Sequence, residues 1–182
     1  MIKYCNFSGG ADGSDIFWEL EGEKYGIKTI SFSFYGHKTK SLNKKELSKE
    51  ELDEGFTHVI EANLTLKRNI YNLNSYVKKL LSRNWYQVVN SDAVFAVVHM
   101  INDKTISGGT GWACQMAIDN NKFVFIYDSN FNSWFEFDYI DKKFKRFDGI
   151  PKLTQNFAGI GTREIDGAGI LAIKELYKYN FK

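Results

Sequence analysis

The 182-residue chain contains two cysteines, one proline and no long hydrophobic run. Cys5 and Cys114 are too few for a disulfide scaffold and form no CxxC pair, so we expect two reduced thiols in a cytoplasmic protein. The longest unbroken apolar run, residues 93–98, covers six residues, whereas a membrane-spanning helix needs about 20. Residues 1–7 lack the apolar core of a secretory signal. The sequence therefore predicts a soluble protein with no membrane partner.

An excess of charge of one sign is also absent. The chain has 24 Lys and Arg against 22 Asp and Glu, a formal net charge of +2, and no block of five like charges. This balance excludes an acidic tail and disfavours a sequence-independent nucleic-acid coat. The chain shows no internal repeat, low-complexity tract or linker, and its length suffices to bury roughly 70% of the unfolded surface. We therefore expect one domain over residues 1–182.

What the chain does contain is a recurring unit of strand, glycine turn and helix. The three units begin at predicted strands 3–7, 93–98 and 156–158. Helices are predicted after each glycine turn, the last two at 112–120 and 165–179. The strand at 93–98 is apolar on both faces, as a strand covered by helices on each side would be. Repeated units of this kind predict an α/β fold with a mainly parallel sheet.

Other segments complete this outline. Alternating apolar residues predict a strand at 28–34, and a further doubly buried strand is expected at 123–127. Residues 134–139 and 143–147 predict an added β-hairpin. The long stretch 43–84 is predicted to be helical, opened by a capping box of Ser48 and Glu51.

Eight of the 15 glycines lie in three clusters, each where a strand's carboxyl end meets the start of a helix. Ligands of open parallel sheets bind at that edge, because helix N-termini point unpaired N–H groups there. Each cluster alone is equally well explained by a tight turn. Three clusters at one edge favour a shared site for a nucleotide-like anion. The clustered glycines are Gly9, Gly10, Gly13, Gly108, Gly109, Gly111, Gly159 and Gly161.

Polar residues beside the clusters extend this hypothesis. Asp12 and Asp15 could accept hydrogen bonds from ribose hydroxyls, although for Asp15 alone a helix-capping role is the favoured interpretation. Arg163 directly follows the third cluster, and its planar guanidinium suits a phosphate. His37 could contact a phosphate from the same edge or lie in a solvent-facing loop. His58 and His99 lack partners at metal-ligand spacing and are interpreted as structural residues, so we expect no metal site. We also expect no cofactor.

Four motifs together resemble the phage and bacterial branch of the SLOG superfamily, which includes the Lonely Guy phosphoribohydrolases, molybdenum-cofactor carrier proteins and the DNA-processing protein A family. The motifs are SGGADGSD at 8–15, SRNWYQV at 82–88, GGTGWACQ at 108–115 and AGIGTRE at 158–164. The match touches both ends and the centre of the chain, whereas the long helical region and the hairpin are poorly covered. The resemblance implies a Rossmann-like three-layer fold with helices on both faces of the sheet.

The resemblance also implies a set of ligand-binding residues at the glycine loops. Arg83 and Asn84 would enter the site from the long helix, with surface solvation as the competing interpretation. Asn63, Lys67 and Arg68 would face the site only if that helix bent inward, so we leave them outside it. The predicted set is Ser8, Gly9, Gly10, Asp12, Asp15, His37, Arg83, Asn84, Gly108, Gly109, Thr110, Gly111, Gln115, Gly161, Thr162, Arg163 and Glu164.

The order of the motifs departs from the family. In most relatives the strand and helix of the AGIGTRE type precede the SGGADGSD strand, whereas here they come last. The sequence therefore resembles a circular permutant, and Met1 and Lys182 are expected to lie close together.

A second departure concerns chemistry. Lonely Guy enzymes have a glutamate that assists N-glycosidic cleavage at the position of Gln115, and an amide cannot act as a general base at neutral pH. The resemblance thus favours binding without turnover, and we assign no catalytic residue. Glu164, Asp12 or Asp128 could substitute, so a nucleotide N-glycosidase or phosphoribohydrolase is the alternative function.

Relatives of SLOG domains sense ADP-ribose-type signals in antiphage immunity. The composition, rich in lysine, asparagine and isoleucine, is what an AT-rich phage or bacterial genome would give. The resemblance therefore implies a binder of an ADP-ribose-type or cyclic nucleotide signal, acting as a phage anti-defence sponge in the host cytoplasm. It also implies a homodimer or tetramer paired through helices that flank the site. Single-stranded DNA handling is disfavoured by the near-zero net charge.

Overall fold

The computed structural model describes residues 3–182 and has five helices and ten strands within that range. In chain order they are β1 (Cys5–Ser8), α1 (Ser14–Lys24), β2 (Lys28–Phe34), β3 (Lys44–Leu47), α2 (Lys49–Leu66), α3 (Ser75–Val89), β4 (Ala93–Val97), β5 (Met100–Asn102), β6 (Thr105–Ile106), α4 (Thr110–Asp119), β7 (Phe123–Asp128), β8 (Ser133–Asp138), β9 (Lys143–Phe147), β10 (Asn156–Gly161) and α5 (Gly167–Asn180).

Eight strands form one sheet in the order β3-β2-β1-β10-β4-β7-β8-β9. The first six strands run parallel, and β8 and β9 add an antiparallel hairpin at one edge. The last strand in the sequence, β10, lies in the middle of the sheet between β1 and β4. The predicted α/β class, the mainly parallel sheet and the added hairpin are thus confirmed, and the architecture is consistent with a Rossmann-like fold. A separate hairpin, β5-β6, was not predicted.

Helices cover both faces of the sheet. One face carries α1 and α5, which pack against each other, and the opposite face carries α2, α3 and α4. Strand β4 is buried along its whole length because its side chains alternate between the two cores. Val94 and Ala96 join the core beneath α2, α3 and α4, while Phe95 and Val97 join the core beneath α5. This alternation explains the uninterrupted apolar run of the sequence.

The predicted helical stretch 43–84 is wrong in two respects. Its first residues form β3, which pairs with β2 at the sheet edge. The remainder is two helices, separated at residues 67–74 and ending at Val89 instead of Asn84. Lys67 ends α2 in the left-handed region (φ 52°), and the side chain of Asn74 caps α3 by accepting the Val77 N–H at 2.9 Å. Helical spacing continues across this break, which is why periodicity alone missed it.

The predicted capping box is confirmed at the start of α2. The Ser48 N–H donates to the Glu51 carboxylate at 2.7 Å, and the Glu51 N–H donates to the Ser48 hydroxyl at 3.2 Å. These reciprocal bonds satisfy two donors that a helix start would otherwise leave unpaired.

The third glycine cluster is not a turn. Gly159 and Gly161 both lie within β10, and the loop that follows begins at Thr162. Gly159 faces the indole of Trp18, because a Cβ built there would lie 2.5 Å from a ring atom. Trp18 is fully buried and donates its indole N–H to the Ile160 carbonyl at 3.0 Å, so the ring cannot move aside cheaply.

The two ends of the described chain are adjacent. The rings of Tyr4 and Phe181 lie 4.8 Å apart in an edge-to-face arrangement. Met1, the other residue of the predicted contact with Lys182, lies outside the described residues. No helix within residues 3–182 is long and apolar enough to cross a membrane.

Gly159→Ala should destabilise the protein by about 1–3 kcal/mol, because the added methyl group overlaps the Trp18 ring in a close-packed core. Gly167→Ala is the matched control, since nothing lies within 4 Å of the position of its Cβ. Denaturant unfolding monitored by tryptophan fluorescence measures both free energies of unfolding. Equal stabilities of the two variants would contradict the packing described for Gly159.

Candidate functional site

A cavity of about 410 Å³ opens at the carboxyl edge of the sheet, above β10. The strands on either side of β10 continue into helices on opposite faces, β1 into α1 and β4 into α4. The two connecting loops therefore diverge and leave a crevice between them, which is where open α/β sheets bind ligands. A volume of this size lies near the lower end of the roughly 300–1,000 Å³ typical of small-molecule pockets.

Ten of the 17 predicted site residues line this cavity: Asp15, Arg83, Asn84, Gly108, Gly109, Thr110, Gly161, Thr162, Arg163 and Glu164. They come from the segments after β1, β4 and β10 and from α3. Glycines of the second and third clusters therefore line the cavity, whereas the first cluster contributes none of its glycines and its segment is represented by Ala11 and Asp15. Within residues 3–182, no group of three His, Cys, Asp or Glu side chains lies close enough together to hold a metal ion.

The first glycine turn binds a carboxylate of the chain itself. Asp15 lies at the start of α1, is 6% exposed and accepts a hydrogen bond from the backbone N–H of Ala11 at 3.3 Å. Its Oδ2 lies 3.8 Å from a terminal guanidinium nitrogen of Arg83. Burial raises the pKa of Asp15 to about 6, although the nearby positive charge of Arg83 by itself would lower that pKa. Because Asp15 accepts from the Ala11 N–H and the Ser8 hydroxyl accepts from the Gly10 N–H, the first turn does not offer these two donors to a phosphate.

Arg83 connects α3 to the ends of two strands. Its guanidinium is 5% exposed and donates to the carbonyl of Gly9, after β1, and to that of Phe32, in β2, at 3.3 Å. Burial lowers the pKa of Arg83, but an arginine stays charged at neutral pH. Its Nε has no hydrogen-bond partner among residues 3–182. The site therefore has a buried positive charge with an unused donor, and the surface interpretation of Arg83 is wrong.

Hydrogen bonds from Arg68 fix the second glycine loop. This residue, at the break between α2 and α3, donates to the Gly108 carbonyl at 2.7 Å and to the Ile106 carbonyl. Its guanidinium also lies 4.8 Å from the centroid of the Trp112 ring, a cation–π contact. Arg68 thus fixes the loop that leads into α4 without lining the cavity. Sequence analysis left it outside the site because the bend between α2 and α3 was not predicted.

The third loop is fixed by the strand and helix beside it. The Thr162 N–H donates to the Val97 carbonyl at 2.9 Å, and its own carbonyl accepts from the backbone and the hydroxyl of Ser14 at 3.0 and 2.8 Å. Gly13, with φ 97°, passes so close to this loop that a Cβ would lie 2.5 Å from the Arg163 Cα. The exposed side chains of Arg163 and Glu164 are thereby carried on a rigid support at the mouth of the cavity.

Seven predicted residues do not line the cavity: Ser8, Gly9, Gly10, Asp12, His37, Gly111 and Gln115. The Ser8 hydroxyl accepts the Gly10 N–H at 3.2 Å and so shapes the first turn. Asp12 is exposed and pairs with Lys40 at 3.2 Å. Gln115 donates to Asp119 at 2.8 Å on the next turn of α4.

His37 is placed as a structural residue. Its Nδ1 lies 3.1 Å from the Ser33 hydroxyl, and its ring stacks on Phe34 with centroids 5.0 Å apart. Burial, with Arg83 and Arg163 nearby, lowers the pKa of His37 to about 4. The ring is therefore neutral at neutral pH and supplies no positive charge for a phosphate.

Helix α3 contributes cavity residues that sequence analysis missed. Val77, Leu80, Leu81 and Gln87 lie with Asn84 along one side of the helix at spacings of three and four residues. Gln87 is 1% exposed, and its Nε2 has no hydrogen-bond partner among residues 3–182. The signal in the sequence was that Gln87 is polar at a position where the helical spacing otherwise places apolar residues. The cavity therefore has an apolar wall beside its charged mouth.

Comparison of the chain with protein-family models, with curated proteins and with solved structures finds no match. The fold and the cavity are thus the observations from which a function can be inferred.

Asp15→Asn should remove a pH dependence of stability. The pKa of Asp15 is raised from 3.8 to about 6 on folding, so its contribution is present in full below about pH 4 and is lost as the pH rises through 6. The stability of the wild type relative to Asp15→Asn should therefore fall by ~3 kcal/mol at most between pH 4 and 7. Urea unfolding at half-unit pH intervals measures this difference.

The control is Asp12→Asn, which removes the same charge from an exposed residue of the same turn. Parallel pH profiles for wild type and Asp15→Asn would show that the carboxyl is not desolvated as described.

Proposed function

We propose that the protein binds a nucleotide-derived small molecule, of the ADP-ribose or cyclic nucleotide type, in the cavity at the carboxyl edge of the sheet. The observation that carries this proposal is a cavity that is lined by the buried guanidinium of Arg83 and to which all three glycine segments contribute. A positive charge that is shielded from water attracts an anionic ligand more strongly than an exposed charge does.

The mouth of the cavity suits the phosphate of such a ligand. Gly109 and Thr110 start the ten-residue helix α4, where the helix dipole favours an anion. The N–H groups of Gly111 and Trp112 already donate to loop carbonyls, so the N–H groups of Gly109 and Thr110 are the donors offered to a phosphate. Arg163 lies on the opposite loop and offers a guanidinium for bidentate contact. The first glycine turn has a different role, because Asp15 fills it and presents an acceptor to ribose hydroxyls.

The balance of charge limits how many phosphates the cavity favours. Two arginines, Arg83 and Arg163, are matched by two acids, Asp15 and Glu164. A polyanion would meet both carboxylates, so a ligand with one or two phosphates fits better than a nucleic acid. This balance agrees with the SLOG resemblance, which implies a small nucleotide-derived ligand. Sequestration of an immune signal by a phage protein stays a prediction of that resemblance.

The alternative function, hydrolysis of a nucleotide N-glycosidic bond, is favoured by Asp15. A buried carboxyl with a pKa of about 6 inside a cavity can hold or release a proton near neutral pH, as a general acid or base must. Incubation with AMP followed by chromatography decides between the two functions. Binding alone returns AMP unchanged, whereas hydrolysis by water gives adenine and ribose 5-phosphate.

The binding proposal is tested by thermal shift and calorimetry with AMP, ADP-ribose, cyclic ADP-ribose and cyclic oligonucleotides, together with mass spectrometry of molecules that copurify with the protein. We expect at least one nucleotide to raise the unfolding temperature and to bind at one site per chain. If no nucleotide binds and none copurifies, the proposed function is wrong.

Arg163→Gln should weaken binding of the nucleotide identified in this screen by roughly tenfold to a hundredfold, the effect of one charge-assisted hydrogen bond. Because Arg163 is exposed, the fold should be unaffected. Arg146→Gln is the matched control, as Arg146 lies on the edge strand β9, away from the cavity. If calorimetry gave equal affinities for the two variants, Arg163 would not contact the ligand.

A further inference from the structure

The wall of the cavity contains a carboxyl group that is almost buried and weakly compensated. Asp15 lines the cavity, and 8% of its side-chain surface stays accessible. It accepts from the Ala11 N–H at 3.3 Å. The guanidinium of Arg83 lies 3.8 Å away, beyond hydrogen-bond distance, and donates to two backbone carbonyl groups instead. The ionised form of Asp15 therefore receives little stabilisation for a carboxylate that is shielded from water.

Charged side chains from three elements act on Asp15. Arg83, from α3, favours the ionised carboxylate, whereas Glu19, one turn further along α1, disfavours it. The loop after β10 adds one charge of each sign to the same cavity, Arg163 and Glu164. Burial, assisted by Glu19, outweighs Arg83 and raises the pKa of Asp15 to about 6. This carboxyl group therefore changes its charge just below neutral pH.

An anion in the cavity shifts that balance. A negative charge in a space shielded from water interacts with a carboxylate there at a lower effective dielectric than in bulk water. It therefore disfavours the ionised form of Asp15 and favours the protonated form. This effect acts across the cavity and requires no contact between the anion and the carboxyl group. Because linkage is reciprocal, a proton on Asp15 strengthens the binding of the anion by the same factor.

We propose that the cavity binds its anionic ligand together with one proton, which Asp15 takes up from the solvent, so that acidification strengthens binding. This inference rests on the proposed function and adds a regulation of the same site by pH. No covalent bond forms or breaks, and the protonated carboxyl group keeps a carbonyl oxygen that accepts from a ribose hydroxyl. With Asp15 neutral, the cavity has two arginines and one remaining acid, Glu164.

The probes are the phosphodiesters of the binding screen, ADP-ribose and the cyclic oligonucleotides. Their phosphate groups keep a constant charge near neutral pH, so a proton taken up on binding goes to the protein. AMP is unsuitable here, because the second pKa of a phosphomonoester is about 6. Calorimetry on the full chain in two buffers of different ionisation enthalpy measures the number of protons taken up per bound ligand.

In the wild type, the affinity for the probe should fall by roughly fivefold to twentyfold between about pH 6 and 8, with uptake of roughly half a proton per ligand at pH 7. Asp15→Asn keeps the size of the protonated side chain and cannot titrate. Its affinity should therefore stay constant over this range, with no proton taken up. The wild type alone supplies both readouts, so the test does not depend on the folding of the variant.

Glu164→Gln is the matched control, because it removes the other carboxyl group of the cavity from an exposed position. Its pH profile should keep the slope of the wild type. His37 lies near Arg83 and Arg163 but does not contribute, because burial lowers its pKa to about 4 and the ring stays neutral over the range tested.

The outcomes separate the two proposals. If the wild type binds a probe equally well across the pH range and takes up no proton, or if Asp15→Asn keeps the slope of the wild type, the inference is overturned while ligand binding stands. If none of the ADP-ribose-type and cyclic nucleotides of the screen binds, the proposed function itself fails and the inference fails with it.

Discussion

The structure of the cavity depends on one buried arginine. Arg83 extends from α3 to the carbonyl groups of Gly9 and Phe32 and so fixes the helix against the carboxyl ends of β1 and β2. A guanidinium buried to this extent needs acceptors and a counter-charge, and the fold provides two carbonyls and, at 3.8 Å, the carboxylate of Asp15. These contacts leave Nε unsatisfied. The same residue therefore organises the wall of the cavity and gives it a buried positive charge.

The fold follows from local signals that agree with one another. The doubly apolar strand at β4, the first two glycine turns and the capping box of α2 each predict an element that the structure contains. Errors occur where the signal was the spacing of apolar residues alone. The stretch 43–84 keeps helical spacing across the break at 67–74, and Lys44–Leu47 becomes a strand because β2 offers an open edge. Pairing between distant segments cannot be deduced from the residues of one segment.

The candidate site could be predicted to the extent that it lies at strand ends. Loops after β1, β4 and β10 meet because carboxyl ends of parallel strands share an edge, which the order of units in the sequence already implies. Which side chains face the cavity depends on burial. Gln115 is buried on a neighbouring turn of α4 and bonds Asp119, while Gln87 has no partner on α3, yet the sequence does not distinguish the two amides. The role of Arg68 could not be predicted either, because it depends on the bend before α3, which places Arg68 against the second glycine loop.

The three glycine segments differ in what they can bind. In the first, the carboxylate of Asp15 fills the turn; in the third, the glycines belong to β10 and allow close approach to Trp18 and to β4. The second segment, at the N-terminus of α4, keeps free backbone donors and is therefore the expected position of the phosphate. The account thus predicts a ligand held between α4, the loop after β10 and α3.

The most direct test is an amide chemical-shift titration of the isotopically labelled protein with AMP and with ADP-ribose. We expect the largest changes at Gly109, Thr110 and Thr162 to Glu164, with β9 unaffected. Saturating ligand that leaves these resonances unchanged, or that shifts a different surface, would contradict this expectation.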